Sequence, residues 1–531
     1  MLNQMPVGME VMVTSPHVLA TSAGARILAQ GGNAYDASIA VSIALGVVYP
    51  HMTGPGGDAF FLMYNEKSGE LSGYNGTGRS ASSVTREMFE QMNMISIPSR
   101  GVLSAVTVPG MVDAWWEVSH KFGRLPWDKL FEPAIQYAEK GCPVSHNLHM
   151  WMIRDEAYIR ADKEMTSVYI KDGILLAEGD LLIQPQLAHS LRILQSGGKE
   201  AFYKGILAEA ISVSVIQDGG FLQKEDFEKH TGEWVTPVKT TYHEYEVCQM
   251  PPNSQGFSVL MMLNMLENTT VSSLNRLSAP YYHLMTEVIK KSFRDRDQYL
   301  TDPDFRNIPL DQLLSKPYAK QLWDEVTESA EEATPFLSQA MGQDTAYAAV
   351  VDSEGNAVSF IQSLYFDFGS GYMAKNTGII LQNRGSFFSL DPDAANVLEP
   401  GKRTFHTLMP GMVMKEGKPY LLLGTQGGEG QPQTQLSILT AVLDYGCSIQ
   451  EAISLPRWVY GRTWGEDGDE LKLEQRFGIE VIQQLEAMGH EVRPLGEWDD
   501  VMGQAQGIMI GPNGMLSGAA DPRGDGAAIG W

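Results

Sequence analysis

The run Asp344-Thr345-Ala346-Tyr347-Ala348-Ala349-Val350-Val351-Asp352-Ser353-Glu354-Gly355-Asn356-Ala357-Val358-Ser359-Phe360-Ile361-Gln362-Ser363 decides how this chain folds. Two apolar stretches rich in β-branched residues flank a short Gly/Asn turn, the pattern of an antiparallel hairpin. With Asp352 facing Asn356, the register brings Thr345 opposite Ser363, unless a bulge shifts it. A threonine at the start of a buried strand, with a hydroxyl across the ladder, is a candidate nucleophile. The same pair also serves as a purely structural cross-strand contact.

The residues just upstream bear on that choice. From Val326 to Gln343 the chain is acidic, rich in small residues, interrupted by Pro335 and without periodicity, which describes an exposed linker. A linker that runs straight into a core strand is a place where the chain can be cut and keep its fold. Cleavage between Asp344 and Thr345 would give Thr345 an α-amino group with a pKa of about 7.7–8.0. That amine, partly neutral near pH 7, can take the proton from the hydroxyl of its own residue.

The 531 residues exceed one ordinary core and suit two domains or one large layered one. A net charge of −25 argues against nucleic acid, which needs a basic footprint, and against anionic membrane surfaces. Cys142, Cys248 and Cys447 are far apart and odd in number, so neither a disulfide framework nor a metal site is expected. No cofactor motif stands out. The first residues lack the basic start and apolar core of a signal peptide, and no apolar run is long enough to span a membrane. The expected compartment is cytoplasmic.

Taken in order, the pattern predicts helices over about 16–30 and from about Asp36, the second apolar nearly all round and hence buried. His51-Met-Thr-Gly-Pro-Gly-Gly-Asp58 follows, then a strand over 59–64. This glycine loop stands between a helix and a strand, the wrong order for a phosphate loop, and reads as a tight backbone passage beside a site. Helices are expected near 109–122, 127–140, 186–195, 199–217, 257–266 and 279–300, with one strand over 236–249. Arg294-Asp295-Arg296-Asp297 reads as a solvated or salt-bridged face. Strand 420–424 meets Thr425-Gln-Gly427-Gly428-Glu-Gly430 and then a helix near Pro432. Such a junction turns backbone N–H groups outward and can stabilise an oxyanion, though a plain glycine turn looks the same. A last helix over 479–488 and two strands complete the pattern.

Together these pieces resemble the γ-glutamyltranspeptidase family of N-terminal-nucleophile hydrolases along nearly the whole chain. The marks are Gly31-Gly-Asn-Ala-Tyr-Asp-Ala, Gly54-Pro-Gly-Gly57, Tyr299-Leu-Thr-Asp-Pro-Asp-Phe305 and Thr345 with Val350-Val-Asp. Gly355-Asn-Ala-Val, Phe368-Gly-Ser-Gly371, Gly427-Gly428 and Gly518-Ala-Ala-Asp-Pro-Arg523 complete the set. The resemblance implies an α+β fold, a four-layer αββα sandwich made as one precursor and self-cleaved before Thr345. The products would be a large subunit, 1–344, and a small one, 345–531, interlocked in one core. Thr345 would be the nucleophile and its amine the base, Ser363 its hydroxyl partner, and Gly427 with Gly428 the oxyanion pair. The reaction implied is acyl transfer from an amide, with a small-molecule substrate and no metal or cofactor.

The acyl pocket departs from the family pattern. An arginine that grips the glutamyl carboxylate is replaced by Asn75-Gly-Thr-Gly-Arg79, with its arginine a few residues late. The aspartate that grips the amine falls at about Phe387, an asparagine-type ligand becomes Tyr365, and a serine pair becomes His406-Thr407. The passage from Phe388 to Lys402 is short, so the lid loop of some members is expected to be absent. Arg384 and Arg79 remain as candidate carboxylate clamps beside an aromatic wall of Tyr365, Phe387 and Phe388. Three readings follow: a γ-glutamyl (glutathione-type) amide hydrolase or transferase, a glutaryl-type cephalosporin acylase, or an uncleaved, non-catalytic relative that binds an acidic ligand.

Overall fold

The computed structural model describes residues 5–331, 344–462 and 468–531. Within it the hairpin forms over Asp344–Val351 and Ala357–Tyr365. Its turn is closed by Asp352, whose Oδ1 accepts the N–H groups of Glu354 and Asn356, while Gly355 takes a left-handed φ of +88°. The register follows the Asp352/Asn356 alignment from Val351↔Ala357 as far as Ala346↔Gln362. There it slips by one residue, so that Asp344 pairs with Tyr365 and Thr345 lies in the irregularity. A bulge takes one residue out of the regular ladder. Here the extra residue is on the second strand, where Ser363 and Leu364 together stand opposite Thr345.

The hairpin is the centre of a seven-stranded antiparallel sheet. Its order is Ala527–Gly530, Met12–Ser15, Asp344–Val351, Ala357–Tyr365, Asp58–Asn65, Glu70–Gly76 and Glu233–Val235. A second seven-stranded sheet runs Val7–Gly8, Leu516–Ala520, Ala505–Ile510, Lys418–Thr425, Gly411–Lys415, Tyr245–Gln249 and Val238–Tyr242. Strand alternation sorts the side chains. Tyr347, Ala349, Phe60 and Leu62 face Cys248, Met412, Leu422 and Ile508 between the sheets. Ala346, Ala348, Val350 and Phe360 face outward onto helices Val18–Ala29 and Ala34–Val48. Helices Phe257–Leu266, Ala279–Tyr299 and Gln431–Leu443 cover the far side of the second sheet. The result is the four-layer αββα arrangement.

Two close approaches fix the layers. Phe360 and Phe61 are ladder partners whose rings stack at 5.1 Å, a pair worth about 0.5–1.5 kcal/mol beyond its area. Gly424 lies against the Tyr347 ring, where a Cβ would come within 2.1 Å of Cδ2. Helix Ala34–Val48 is buried at every position and starts with a capping box: Asn33 accepts the Asp36 N–H and Asp36 accepts the Asn33 N–H.

The structure differs from the pattern in several places. The single strand expected over 236–249 is a hairpin, Val238–Tyr242 with Tyr245–Gln249, because His243 takes a left-handed turn conformation, φ +54°. The two helices expected over 186–217 divide later, at Lys204–Gly205, and the first kinks at Gly198. Four strands, not two, follow the helix Ile479–Ala487. The Arg294–Asp297 run is salt-bridged as the pattern indicates, Arg294 on Glu325 and Arg296 on Asp297, with Arg296 buried. Most of the expected linker lies outside the described residues. Its first residues are anchored: Ala330 N–H donates to the Met488 carbonyl, and Glu331 pairs with Lys291 at 2.7 Å.

Candidate active site

Glycines set the approach to the hairpin. At Gly57 a Cβ would come within 2.4 Å of the Ser363 carbonyl, and at Gly56 within 2.0 Å of the Ile380 carbonyl. The 54–57 loop therefore presses on the strand that carries Ser363, and delivers Asp58 as that residue's ladder partner. Thr345, Ser363, Arg384, His406, Thr407 and Asp58 are all buried.

Arg384 opens a short 3-10 turn, Arg384–Phe387, whose lead-in is pinned on both sides. Asn383 accepts the Phe366 N–H at 3.0 Å and donates to the Ser99 carbonyl at 2.7 Å, while the Gln382 N–H donates to Gly56. The guanidinium carbon then lies 4.2 Å from the Tyr365 ring centre and 5.2 Å from that of Phe387. Its polar contacts are sparse: Nη2 is 3.5 Å from Ser363 Oγ, Nη1 is 3.4 Å from Thr407 Oγ1, and Nε has no partner. Among the described residues no carboxylate lies within ion-pair distance of it. Burial lowers its pKa to about 10, against the pull of Tyr365 and Asp58.

Asp58 and His406 form the floor. Asp58 Oδ1 accepts the N–H groups of Gly78 at 3.2 Å and Gly110 at 3.0 Å, and Oδ2 lies 3.2 Å from His406 Nε2. Burial pushes the Asp58 carboxyl up to about 6, although Arg384 and these donors pull the other way. Burial, then Arg384, holds the His406 pKa well below its ordinary value. The ring is neutral, so its proton belongs on Nε2 facing Asp58. That leaves Nδ1 as a lone-pair acceptor without a partner.

On the other side, Ser363 Oγ accepts the Tyr365 N–H at 2.6 Å. Tyr365 holds a left-handed φ of +88°, a strained state for a residue with a Cβ, and its ring stacks on Phe387 at 4.0 Å. Phe387 in turn packs against Phe405, the rings tilted by 48° with centres 4.4 Å apart. Behind these rings is a cavity of about 540 Å³ with Phe388, Leu300, Leu390, Asp391, Asp393 and Arg306 in its wall.

Gly427 and Gly428 follow strand Lys418–Thr425 with φ of +128° and +50°. Neither N–H has an acceptor among the described residues. The loop is tied to the acyl pocket by Gln255, whose Nε2 donates to the Thr407 carbonyl at 2.9 Å and the Gly428 carbonyl at 3.0 Å. Gln255 is oriented by Arg296, at 3.1 Å, and Arg296 meets Glu429, which pairs with Arg462. Buried charges of this kind persist only when paired and hydrogen-bonded.

The site residues expected from sequence therefore fall in two places. Thr345, Ser363, Tyr365, Arg384, Phe387, His406 and Thr407 cluster in one pocket, bridged to Gly427 and Gly428 through Gln255. Arg79 is elsewhere: it pairs with Asp302 at 2.9 Å, Glu233 at 3.1 Å and Asp304 at 2.6 Å, and it is partly exposed. Three carboxylates leave it no charge to offer an acyl group. The terminal Asp521-Pro-Arg523 motif is a framework element, with Arg523 on Asp521 and Glu474. Sequence reasoning missed Asp58, Gln255 and the Arg296–Glu429–Arg462 group. The only signals were the acidic residue closing the 54–57 glycine loop and the Pro-rich turn into helix Phe257–Leu266.

Two antiparallel sheets between helix layers, with a strand-initial threonine in a polar pocket, define an N-terminal-nucleophile amidohydrolase. The γ-glutamyltranspeptidase family model matches residues 20–531. The glutathione hydrolase-like YwrD proenzyme of Bacillus subtilis is 50% identical over all of both chains. The oxamate amidohydrolase proenzyme of Klebsiella pneumoniae is 36% identical over 98% of each. A cephalosporin acylase from Bacillus halodurans superposes with a TM-score of 0.93 at 35% identity, covering 100% of this chain and 97% of that one. The chain belongs to the γ-glutamyltranspeptidase family and is a self-processing proenzyme hydrolase. None of its helices is long and apolar enough to cross a membrane among the described residues.

Proposed function

We propose that the chain is cut between Asp344 and Thr345 into subunits 1–344 and 345–531, and that Thr345 then hydrolyses amides whose acyl group carries a carboxylate. The Thr345 hydroxyl attacks the amide carbonyl and its α-amine takes the proton. The N–H groups of Gly427 and Gly428 receive the developing oxyanion. Ser363 already accepts the Tyr365 N–H, so its own hydroxyl serves as a donor to the Thr345 oxygen. The C–N bond then breaks as the α-ammonium gives its proton to the departing amine, and water, deprotonated by the same α-amine, cleaves the ester and restores the Thr345 hydroxyl. The cavity behind Phe387 gives the leaving amine room within the size range of small-molecule sites.

The observation that carries the acyl specificity is Arg384, a buried guanidinium beside Ser363 with an unpartnered Nε and, among the described residues, no carboxylate in ion-pair contact. A substrate carboxylate supplies what the fold withholds. Oxamate and glutathione, which name two of the relatives, both present a carboxylate on the acyl side. Glutaryl-type amides fit this pocket because Asp58 already accepts three donors and has little left for an α-amine. A second reading, γ-glutamyl amides, is supported by His406 Nδ1, an acceptor that an α-ammonium could meet.

Mass spectrometry of the purified protein comes first. Wild type should give two chains divided at Asp344–Thr345, and Thr345→Ala one inactive chain of 58.5 kDa. Glutaryl-, γ-glutamyl- and uncharged pentanoyl-anilides are then compared by kcat/KM. A pentanoyl substrate as good as the other two refutes the Arg384 reading. An active, processed Thr345→Ala protein refutes the mechanism.

A further inference from the structure

We propose that His283, Glu287 and His490 form a binding site for a borderline divalent metal ion such as Zn²⁺, Co²⁺ or Ni²⁺. All three side chains are buried, and one ligand atom of each lies within 4.8 Å of the others. His283 and Glu287 are one turn apart on helix Ala279–Tyr299 and so share a face. His490 arrives from the opposite side, just after Gly489 turns the chain at φ +97°.

The surroundings are those of a supported ligand set. His283 Nε2 lies 2.8 Å from the Thr327 carbonyl, which fixes the proton there and leaves Nδ1 as a lone pair. A backbone acceptor on the far nitrogen is the usual support of a metal-bound histidine. Glu287 is held by Lys290 at 2.8 Å and by the Glu331 N–H at 3.3 Å. His283 Nδ1 and His490 Nε2 stand 2.8 Å apart. Ligand atoms around a tetrahedral ion with bonds of ~2.1 Å are about 3.4 Å apart. The rings would thus open by roughly half an ångström and Glu287 would close in. His490 must carry its proton on Nδ1 in that state, so the change is one of tautomer and no proton is lost. Two imidazoles and a carboxylate suit these ions, with a fourth position for water.

The three ligands also come from both sides of Asp344–Thr345. If the chain is cut there, as proposed above, the ion links the two products, next to the anchored start of the linker at Thr327 and Glu331. Metal binding itself does not depend on that cut.

The test is titration of the tag-free full chain with Co²⁺ and Zn²⁺, followed by calorimetry and by the visible d–d bands of Co²⁺. One equivalent should bind with the intense bands of a tetrahedral site. His490→Ala and Glu287→Gln should each weaken binding at least about 100-fold, and Cys447→Ser should leave it unchanged. The Glu287→Gln variant decides the matter if His490→Ala fails to fold. No bound metal in the wild type, or one equivalent that survives both substitutions, overturns the proposal. So does a site lost in Cys447→Ser. If metal binds the uncut Thr345→Ala chain, the site stands even where the cleavage reading fails.

Discussion

Replacing Arg384 with methionine separates what the residue costs the fold from what it gives the reaction. Burial lowers its pKa from 12.5 to about 10. At about 1.4 kcal/mol per pH unit, holding the guanidinium charged costs the folded chain roughly 3 kcal/mol. Methionine removes that cost and loses the stacking on Tyr365 and Phe387, about 1 kcal/mol. Its two contacts to hydroxyls, at 3.4 and 3.5 Å, are too long to add much. Arg384→Met should therefore unfold in urea no earlier than wild type, and up to about 2 kcal/mol later. Catalysis goes the other way. Removing one partner of a buried charge pair costs about 2–5 kcal/mol, or roughly 30- to 4,000-fold in kcat/KM for glutaryl anilide. Pentanoyl anilide, with no carboxylate, should lose less than about threefold. The assay is kcat/KM on both anilides, with processing checked by mass and stability by urea denaturation. Equal losses on both substrates, or marked destabilisation with an unchanged preference, refute the reasoning.

Other perturbations test neighbouring parts. Asp58 titrates near 6 in the folded chain, above its ordinary value, so its contribution to stability is complete below pH ~4 and is lost as pH rises through 6. Asp58→Asn should lose less: the unfolding free energy of the variant relative to wild type should gain about 2 kcal/mol between pH 4 and pH 7. A flat difference rejects the burial argument. His406 has a lowered pKa and so contributes the opposite slope, losing stability as pH falls below its unfolded value. Gly424→Ala places a methyl within 2.1 Å of the Tyr347 ring and should cost about 1–3 kcal/mol in thermal or urea unfolding. Gln255→Ala should lower kcat for every anilide about equally, since Gln255 positions the Gly428 loop and not the acyl group; a change in acyl preference counts against this.

The hairpin was legible because alternation and a Gly/Asn turn are local signals, and its register held over six pairs from Val351 to Ala346. The slip at Thr345 was not, since a bulge depends on what packs around it. Helices with strong periodicity or full apolar character came out nearly to the residue, as with Trp127–Lys140 and Phe257–Leu266. Arg384 and Arg79 looked equivalent in sequence. Only the fold shows that three carboxylates pair with Arg79 and, among the described residues, none lies within ion-pair distance of Arg384. Asp58 escaped notice because its role rests on residues 20, 52 and 348 positions away. The His283–Glu287 spacing is visible along one helix, but His490 joins it across 207 positions. Long-range pairs of this kind carry no mark in composition or period.

The order of strands in the first sheet has a consequence for how the protein ages. Ala527–Gly530 and the hairpin belong to the part after Asp344, while Met12–Ser15, lying between them, and Asp58–Asn65 belong to the part before it. If the chain is cut at Asp344–Thr345 as proposed, refolding before the cut is a first-order process of one chain. After it, the same sheet can be rebuilt only by collision of two chains, so recovery from denaturant becomes second order in protein. Each half alone has a gap in the sheet, at Met12–Ser15 for the later part and at the hairpin for the earlier one, and would expose open edges, which invite aggregation. Once processed and unfolded, dilute protein should fail to return where the precursor succeeds. The lifetime of the mature form is then set by its rate of unfolding and no longer by its equilibrium stability.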